Sequence, residues 1–284
     1  MADTLPTGPA LIEEINQAWC ATPRLWWLGL RGFAVKYHGV VFYIDLYLSD
    51  WLGDNASPAD SRYRRGALAV LRGEDVTNAH LVIATRNHPT SIDPGSLPAV
   101  LAASPRAKLV LPKSAVERAG SLGVHHHRLR TTDSDLRIEY FHDNEYIRVY
   151  AVPSSDGALE WSPLGGYPSL GYLIRCGAIT IYHSGACVPY EGLAERLRPY
   201  RVTVALLPIN GHGAGCLAPA SFDAAEAAEL AQDIGARWLI PMGYGIFAGD
   251  PTSVDSFVDH MLGRRPTLRF KVFQCGEGWS VPED

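Results

Sequence analysis

The stretch that most constrains this chain is residues 79–94, Ala-His-Leu-Val-Ile-Ala-Thr-Arg-Asn-His-Pro-Thr-Ser-Ile-Asp-Pro. Its apolar run, Leu81 to Ala84, reads as a buried strand. A polar cluster (Thr85, Arg86, Asn87, His88, Thr90, Ser91, Asp93) gathers at the C-terminal end of that strand, before a helix opens. Polar side chains collected at a strand end are where sheet proteins place their chemistry. The rest of the chain should therefore build a sheet that carries this cluster at one edge.

Periodicity and turn residues outline that sheet. Pro9 to Cys20 spaces Leu11, Ile12, Ile15 and Ala18 for one face of a short helix, so residues 1–22 are expected to cap the first sheet. Strands are expected at Arg24 to Leu30, Phe33 to Tyr37 and Val40 to Leu46, and residues 50–75, without periodicity, as a long surface excursion. A helix (Ser96 to Ala103), a strand (Lys108 to Leu111) and a helix (Ser114 to Leu122) follow. Antiparallel strands come next at Ile138 to Phe141 and Tyr146 to Val152, then a hairpin at Leu170 to Arg175 and Ala178 to His183. The remaining elements are strands at Val202 to Leu207, Arg237 to Ile240 and near Leu268 to Phe273, with helices at Phe222 to Ile234 and Val254 to Leu262. This alternation implies a mixed sheet with covering helices.

Several of the strand ends resemble metallo-β-lactamase-fold hydrolases, in particular the branch similar to L-ascorbate-6-phosphate lactonase. The family carries Thr-His-x-His-x-Asp-His, continuing Ile-Asp-Pro, where this chain has Thr85, Arg86, His88, Thr90, Ser91, Ile92, Asp93 and Pro94. Trp27, Gly29, Gly32 and Phe33 match its Trp-x-Gly-x-x-Gly-Phe entry motif, and Ile44-Asp45-Leu46-Tyr47-Leu48-Ser49 is close to Ile-Asp-Pro-Tyr-Leu-Ser. Further on, Tyr182-His183-Ser184-Gly185-Ala186-Cys187 stands for Tyr-His-x-Gly-Asp-Thr, and Leu207-Pro208-Ile209-Asn210-Gly211 repeats the lactonase branch. Pro241-Met242-Gly243-Tyr244-Gly245-Ile246-Phe247 stands for Pro-Met-His-Tyr-Gly-x-Phe. The resemblance runs in order over roughly residues 24–275. It implies an α/β fold, a four-layer αββα sandwich of two mixed β-sheets flanked by helices, formed as one domain over residues 1–284.

The resemblance also implies a metal site, of zinc, manganese or iron, whose ligands are mostly replaced here. Of seven family positions, Arg86, Thr90, Ser91, Ala186 and Gly243 offer no usual ligand, which leaves His88 and Asp156, the latter in place of a histidine. Arg86 adds a permanent cation that opposes a divalent ion. No cofactor is therefore expected.

Three readings of function compete. In the first, the protein is a metal-free binder of a small anionic or polar ligand, with Arg86, Thr90, Ser91, Asp93, Asn210 and His212 as ligand-binding residues. An open pocket at Arg86 is then expected, the nearest acids for internal neutralisation being Asp156 and Asp93. In the second, it is a non-catalytic scaffold or subunit. In the third, it is a hydrolase of a lactone or (phospho)ester, using His88 or His183 as general base and Asp156 to orient it, with Arg86 and Asn210 on an oxyanion.

The remaining features narrow the class. His125-His126-His127, read as extended, point to opposite sides and suit a surface loop better than one ion. Gly213 to Gly215 lack the lysine and helix of a phosphate loop. A chain of 284 residues, 47% hydrophobic, can bury a full core. The net charge of −5 carries no basic or acidic block, which argues against nucleic acid or a membrane surface as partner. No apolar run approaches a membrane span and no leader is visible, so a cytoplasmic location is expected. The five cysteines form no CxxC pair and read as reduced, structural thiols. Self-association is left open.

Overall fold

A computed structural model describes residues 5–56, 61–212, 220–263 and 268–283. The first half of the chain supplies β1 (Arg24–Gly29), β2 (Gly32–Tyr37), β3 (Val40–Ile44), β4 (Leu81–Ile83), β5 (Lys108–Pro112) and β6 (Leu129–Thr132). The second half supplies β7 (Arg137–His142), β8 (Glu145–Pro153), β9 (Leu170–Cys176), β10 (Ile179–His183), β11 (Val204–Pro208), β12 (Trp238–Met242) and β13 (Arg269–Phe270). A last strand, β14 (Gly278–Ser280), returns to pair with β1. The helices are α1 (Pro9–Gln17), α2 (Trp51–Asn55), α3 (Leu97–Ala103), α4 (Val116–Ser121), α5 (Leu193–Leu197), α6 (Ala224–Asp233) and α7 (Val254–Gly263).

Among the described residues the strands form two seven-stranded sheets, ordered β14-β1-β2-β3-β4-β5-β6 and β13-β12-β11-β10-β9-β8-β7. Each is antiparallel in one half and parallel in the other: β3 through β6 run parallel, as do β10 through β13. Parallel strands release their carboxyl ends on one side, so the residues following β3, β4, β10, β11 and β12 are brought toward a common edge.

Alternation along the strands explains the layering. In β1, Leu25 and Trp27 join the core between the sheets, while Trp26 and Leu28 face outward under α1 and α3. The inner core runs from Phe33, Ile44 and Val110 of one sheet to Tyr172, Leu206 and Leu239 of the other. Each such side chain, fully buried, stabilises by about 1.5–3 kcal/mol. On the outer face α1 buries Leu11, Ile12 and Ile15, and the Lys36 ammonium reaches the carbonyls of Ile15 and Asn16 at its C-terminal end. A cation there satisfies orphan acceptors and complements the helix dipole. On the far side Asp223 caps α6, accepting from the N–H groups of Ala225 and Glu226, while Glu226 accepts from the N–H of Asp223.

Some details depart from the sequence expectation. The helix expected to Cys20 ends at Gln17, and the strand expected over 268–273 keeps only Arg269 and Phe270. Two strands (β6, β14) and two short helices (α2, α5) arise where none is expected. His126–Arg128 forms a 3-10 turn rather than an extended segment. The 50–75 excursion is not structureless. Asp50 opens α2, Arg65 donates to the carbonyl of Tyr47, and the Gly66 N–H reaches Ile246, which docks the excursion beside the segment following β12. No helix among the described residues is long and apolar enough to cross a membrane.

Candidate functional site

Two buried carboxylates build the frame of the strand-end cluster. Asp45, just past β3 and with a positive φ of 44°, accepts from the Thr85 N–H at 2.8 Å and from its hydroxyl at 2.6 Å. Asp93 accepts from the backbone N–H groups of Leu48, Ser49 and Gly95 and from the hydroxyls of Ser49 and Ser96. Asp93, expected to bind ligand, is thus placed as a brace: its oxygens are committed to the loops on either side, as burial of a carboxylate requires. Ser91 is buried with its hydroxyl 3.3 Å from that of Thr85.

Within this frame lie two guanidinium groups. Arg86 emerges from β4 with its side chain only 14% exposed, and its Nη2 donates to Asp156 Oδ2 at 2.9 Å. The open pocket expected at Arg86 is therefore closed by an ion pair to Asp156, and Asp93 takes no part in it. The second guanidinium, Arg31, is fully buried and was not anticipated from the sequence. It sits in the β1–β2 turn, between Gly29 and Gly32, and its Nη2 donates to Thr90 Oγ1 at 2.8 Å. The Leu30 carbonyl of that turn accepts from the Gly243 N–H at 2.7 Å, which anchors the turn to the segment after β12. Burial lowers the Arg31 pKa to about 10, against the pull of Asp45 and with the push of Arg86, so the group stays cationic at neutral pH. Among the described residues, Nε and Nη1 of both arginines are buried without a hydrogen-bond partner.

His88 stands beside these cations. Burial first, then the charges of Arg86, Arg31 and Arg118, push its pKa down to about 3. The ring is neutral at pH 7. Its Nδ1 accepts from the Thr90 N–H at 3.2 Å and lies 2.9 Å from Thr90 Oγ1. Thr90 Oγ1 already accepts from Arg31, so its own hydrogen goes to Nδ1 and the imidazole hydrogen sits on Nε2. An imidazole with so low a pKa is a feeble general base.

The other expected site residues are placed as follows. His183 is fully buried, with Nδ1 accepting from the Gly185 N–H at 3.2 Å and Nε2 donating to the Arg31 carbonyl at 2.9 Å. Both ring nitrogens are occupied, so the candidate base is instead a link between the sheets. Asp156 pairs with Arg86 rather than orienting a histidine. Asn210 lies against Gly243, where a Cβ would come 2.6 Å from its Oδ1. His212 is about half exposed and lies 3.1 Å from Glu226 at the start of α6, apart from the arginines. The glycine-rich continuation, Gly213 to Gly215, lies outside the described residues. Cys187 is buried, its pKa pushed up to about 11 by burial, which excludes a ready thiolate.

Arg86, Arg31, His88, Thr90, Ser91 and Asp156 thus come together, with Asp45 beneath them. Arg31 was missed because a single arginine in a hairpin turn gives no local signal; only sheet order brings it to Thr90. Open cavities are found elsewhere among the described residues, including one of about 600 Å3 beside Ser49, Arg65 and Leu68 and one of about 440 Å3 at the opposite end of β4, beside His80 and His142.

The metal ions used in the resembling family do not fit this donor set. A transition metal needs three or more nitrogen, oxygen or sulfur ligands around one point. Among the described residues no group of three or more His, Cys, Asp or Glu side chains could hold one. At the strand ends His88 lies among the charges of Arg86, Arg31 and Arg118, both ring nitrogens of His183 are occupied, and the Asp156 carboxylate is already paired with Arg86.

Comparison with known proteins places this geometry in a family. Two curated metal-dependent hydrolases of the UPF0173 group are similar: one from Myxococcus xanthus is 31% identical over 140 residues, covering 49% of this chain and 44% of its own. One from Caldivirga maquilingensis is 26% identical over 136 residues, covering 48% and 54%. The chain spans about half the length of the curated relatives it matches. Among solved structures, the metallo hydrolase Igni18 from Ignicoccus hospitalis aligns with a TM-score of 0.67 at 19% identity, over 93% of this chain and all of that one. An isothiocyanate hydrolase from Delia radicum gut bacteria aligns with a TM-score of 0.71 at 16% identity, over 91% and 99%. These structures share the fold, the two-sheet metallo-β-lactamase sandwich. The beta-lactamase superfamily domain model matches residues 24–243, most of both sheets and every strand end described above, and the chain belongs to that family.

Proposed function

We propose that the strand-end cluster is a metal-free binding site for a small oxyanion, held by Arg86 and Arg31 where relatives described as metal-dependent hydrolases are expected to hold ions. The observation that carries this reading is the set of four buried guanidinium nitrogens, Nε and Nη1 of each arginine, that lack a hydrogen-bond partner. Leaving such donors unpaired is costly, and it recurs in proteins mainly where a ligand, ion or water completes the site. Arginine suits the task because its planar fork matches the oxygens of carboxylate and phosphate. Thr90 and neutral His88 line the same cluster and add hydrogen-bonding groups without adding charge. On this reading the fold of a hydrolase is retained and its electrostatics are inverted, from cations that are bound to cations that bind.

One observation favours a second reading, a scaffold with a closed site: Asp156 already pairs with Arg86. Thermal unfolding in the presence of phosphate, sulfate, acetate and sugar phosphates separates the two. A binding site raises the midpoint with ligand concentration, and a ligand at a hundredfold its Kd adds about 2.7 kcal/mol. Arg86→Ala should abolish the response. Equal shifts in wild type and variant, or none in either, would leave the scaffold reading in place.

A further inference from the structure

The Arg86–Asp156 pair is held by one bond of the two its geometry allows. In a guanidinium, Nε and Nη2 point their hydrogens to the same side and together take both oxygens of a carboxylate or phosphate. Asp156 bonds Nη2 alone, and the adjoining Nε is buried without a partner. Half of the fork is filled.

The two acids near the arginines differ in freedom. Asp45 is fully buried and spends Oδ1 and Oδ2 on Thr85, so it cannot leave. Asp156 is 42% exposed, and among the described residues no other hydrogen bond holds its carboxylate. It also opens the segment 157–168, which returns to Arg86 through a backbone bridge at Ser169. That segment leaves Leu159, Trp161 and Leu164 exposed to solvent.

We infer that Asp156 is a built-in competitor for the site: its carboxylate occupies Arg86 until an oxyanion with two equivalent oxygens, a carboxylate or a phosphate monoester, displaces it and fills the whole fork. This rests on the anion-binding reading above. The internal carboxylate keeps the largely buried guanidinium from standing uncompensated, and its single bond makes it the weaker of the two partners. Arg31 supplies the second cation, which an incoming dianion meets and which Asp156 at its distance does not bond. Release of Asp156 frees the start of segment 157–168, so occupancy of the site is transmitted to Trp161.

Calorimetric titration of inorganic phosphate and of acetate into wild type, Asp156→Ala, Asp156→Asn and Arg86→Ala, at constant ionic strength set with chloride, tests this. Near-ultraviolet circular dichroism checks that each variant is folded. Removing the competitor should tighten binding of at least one anion several-fold, to about tenfold, in both Asp156 variants, as expected for loss of one partly exposed ion pair. Whichever of phosphate and acetate gains more identifies the natural group. Trp161 emission, read as the difference from Trp161→Phe, should change on adding phosphate to wild type and start near that changed value in Asp156→Ala. Anion binding to wild type that is unchanged or weaker in both Asp156 variants overturns the competitor role and leaves the binding site standing. Absence of binding in every form overturns both.

Discussion

His183 of β10 and Arg31 of the β1–β2 turn are joined across the two sheets, the imidazole Nε2–H lying 2.9 Å from the arginine's carbonyl oxygen. One sheet therefore fixes the backbone from which the other sheet's cation reaches the site. The histidine's remaining nitrogen accepts from Gly185, so the ring is held at both ends.

Replacing His183 with alanine should be costly. It removes two hydrogen bonds, leaves the Arg31 carbonyl and the Gly185 N–H unpaired, and opens a void in a fully buried position. A loss of about 2–4 kcal/mol is expected in denaturant unfolding, together with weaker phosphate binding as the Arg31 turn loosens. A change below half a kilocalorie would show that the link carries little.

Arg31→Met should separate stability from binding. A buried cation with Thr90 as its one side-chain hydrogen-bond partner among the described residues is expensive, and an apolar side chain of similar length is often neutral or stabilising by about 1 kcal/mol or more. The unfolding midpoint is expected to hold or rise while the midpoint shift with phosphate disappears. A fall of several degrees without ligand would mean that Arg31 serves the fold.

The pH dependence follows from His88. Its folded pKa, near 3, lies below the ordinary value of 6.5, so the unfolded chain binds a proton that the folded one refuses. Its contribution to stability is complete above about pH 6.5 and is lost as pH falls from there toward 3. His80 and His183 are lowered by burial and share the sign. His88→Gln should therefore reduce, without abolishing, the slope of unfolding free energy against pH between 4 and 6.5. Parallel curves for wild type and variant would contradict the placement of His88 among the arginines.

Metal removal should be silent. Protein prepared without chelator is expected to contain no stoichiometric zinc, manganese or iron by elemental analysis. Unfolding curves with and without chelator should coincide, since bound metal would stabilise by mass action. One ion per chain that is lost in His88→Ala would refute this.

The fold was legible wherever burial shapes the sequence. The apolar runs of β4, β10 and β11 and the helical spacing in α1 and α7 sit where their patterns predict. What escaped was decided by tertiary pairing: β6, with exposed Arg130 and Thr131, and the three residues of β14 are edge strands whose partners alone define them. The site divides the same way. Arg86, His88, Thr90 and Ser91 follow one strand and could be read together. His183 and Asp93 look like functional residues in sequence, yet Arg31 and Gly185 consume the hydrogen-bonding capacity of the one, and Leu48, Ser49, Gly95 and Ser96 that of the other. Arg31 shows the converse, an ordinary turn arginine made singular by what the second sheet does to its carbonyl.

Gly243 closes its position to other side chains. Its φ of 86° is one that side chains rarely adopt, and the space where a Cβ would stand is within 2.6 Å of Asn210 and 3.0 Å of Pro208. A histidine placed there meets a backbone that resists it and the Asn210 amide where its Cβ would stand. A larger side chain at 243 therefore needs the backbone and Asn210 to change with it, so this strand end has to be rebuilt at more than one position together.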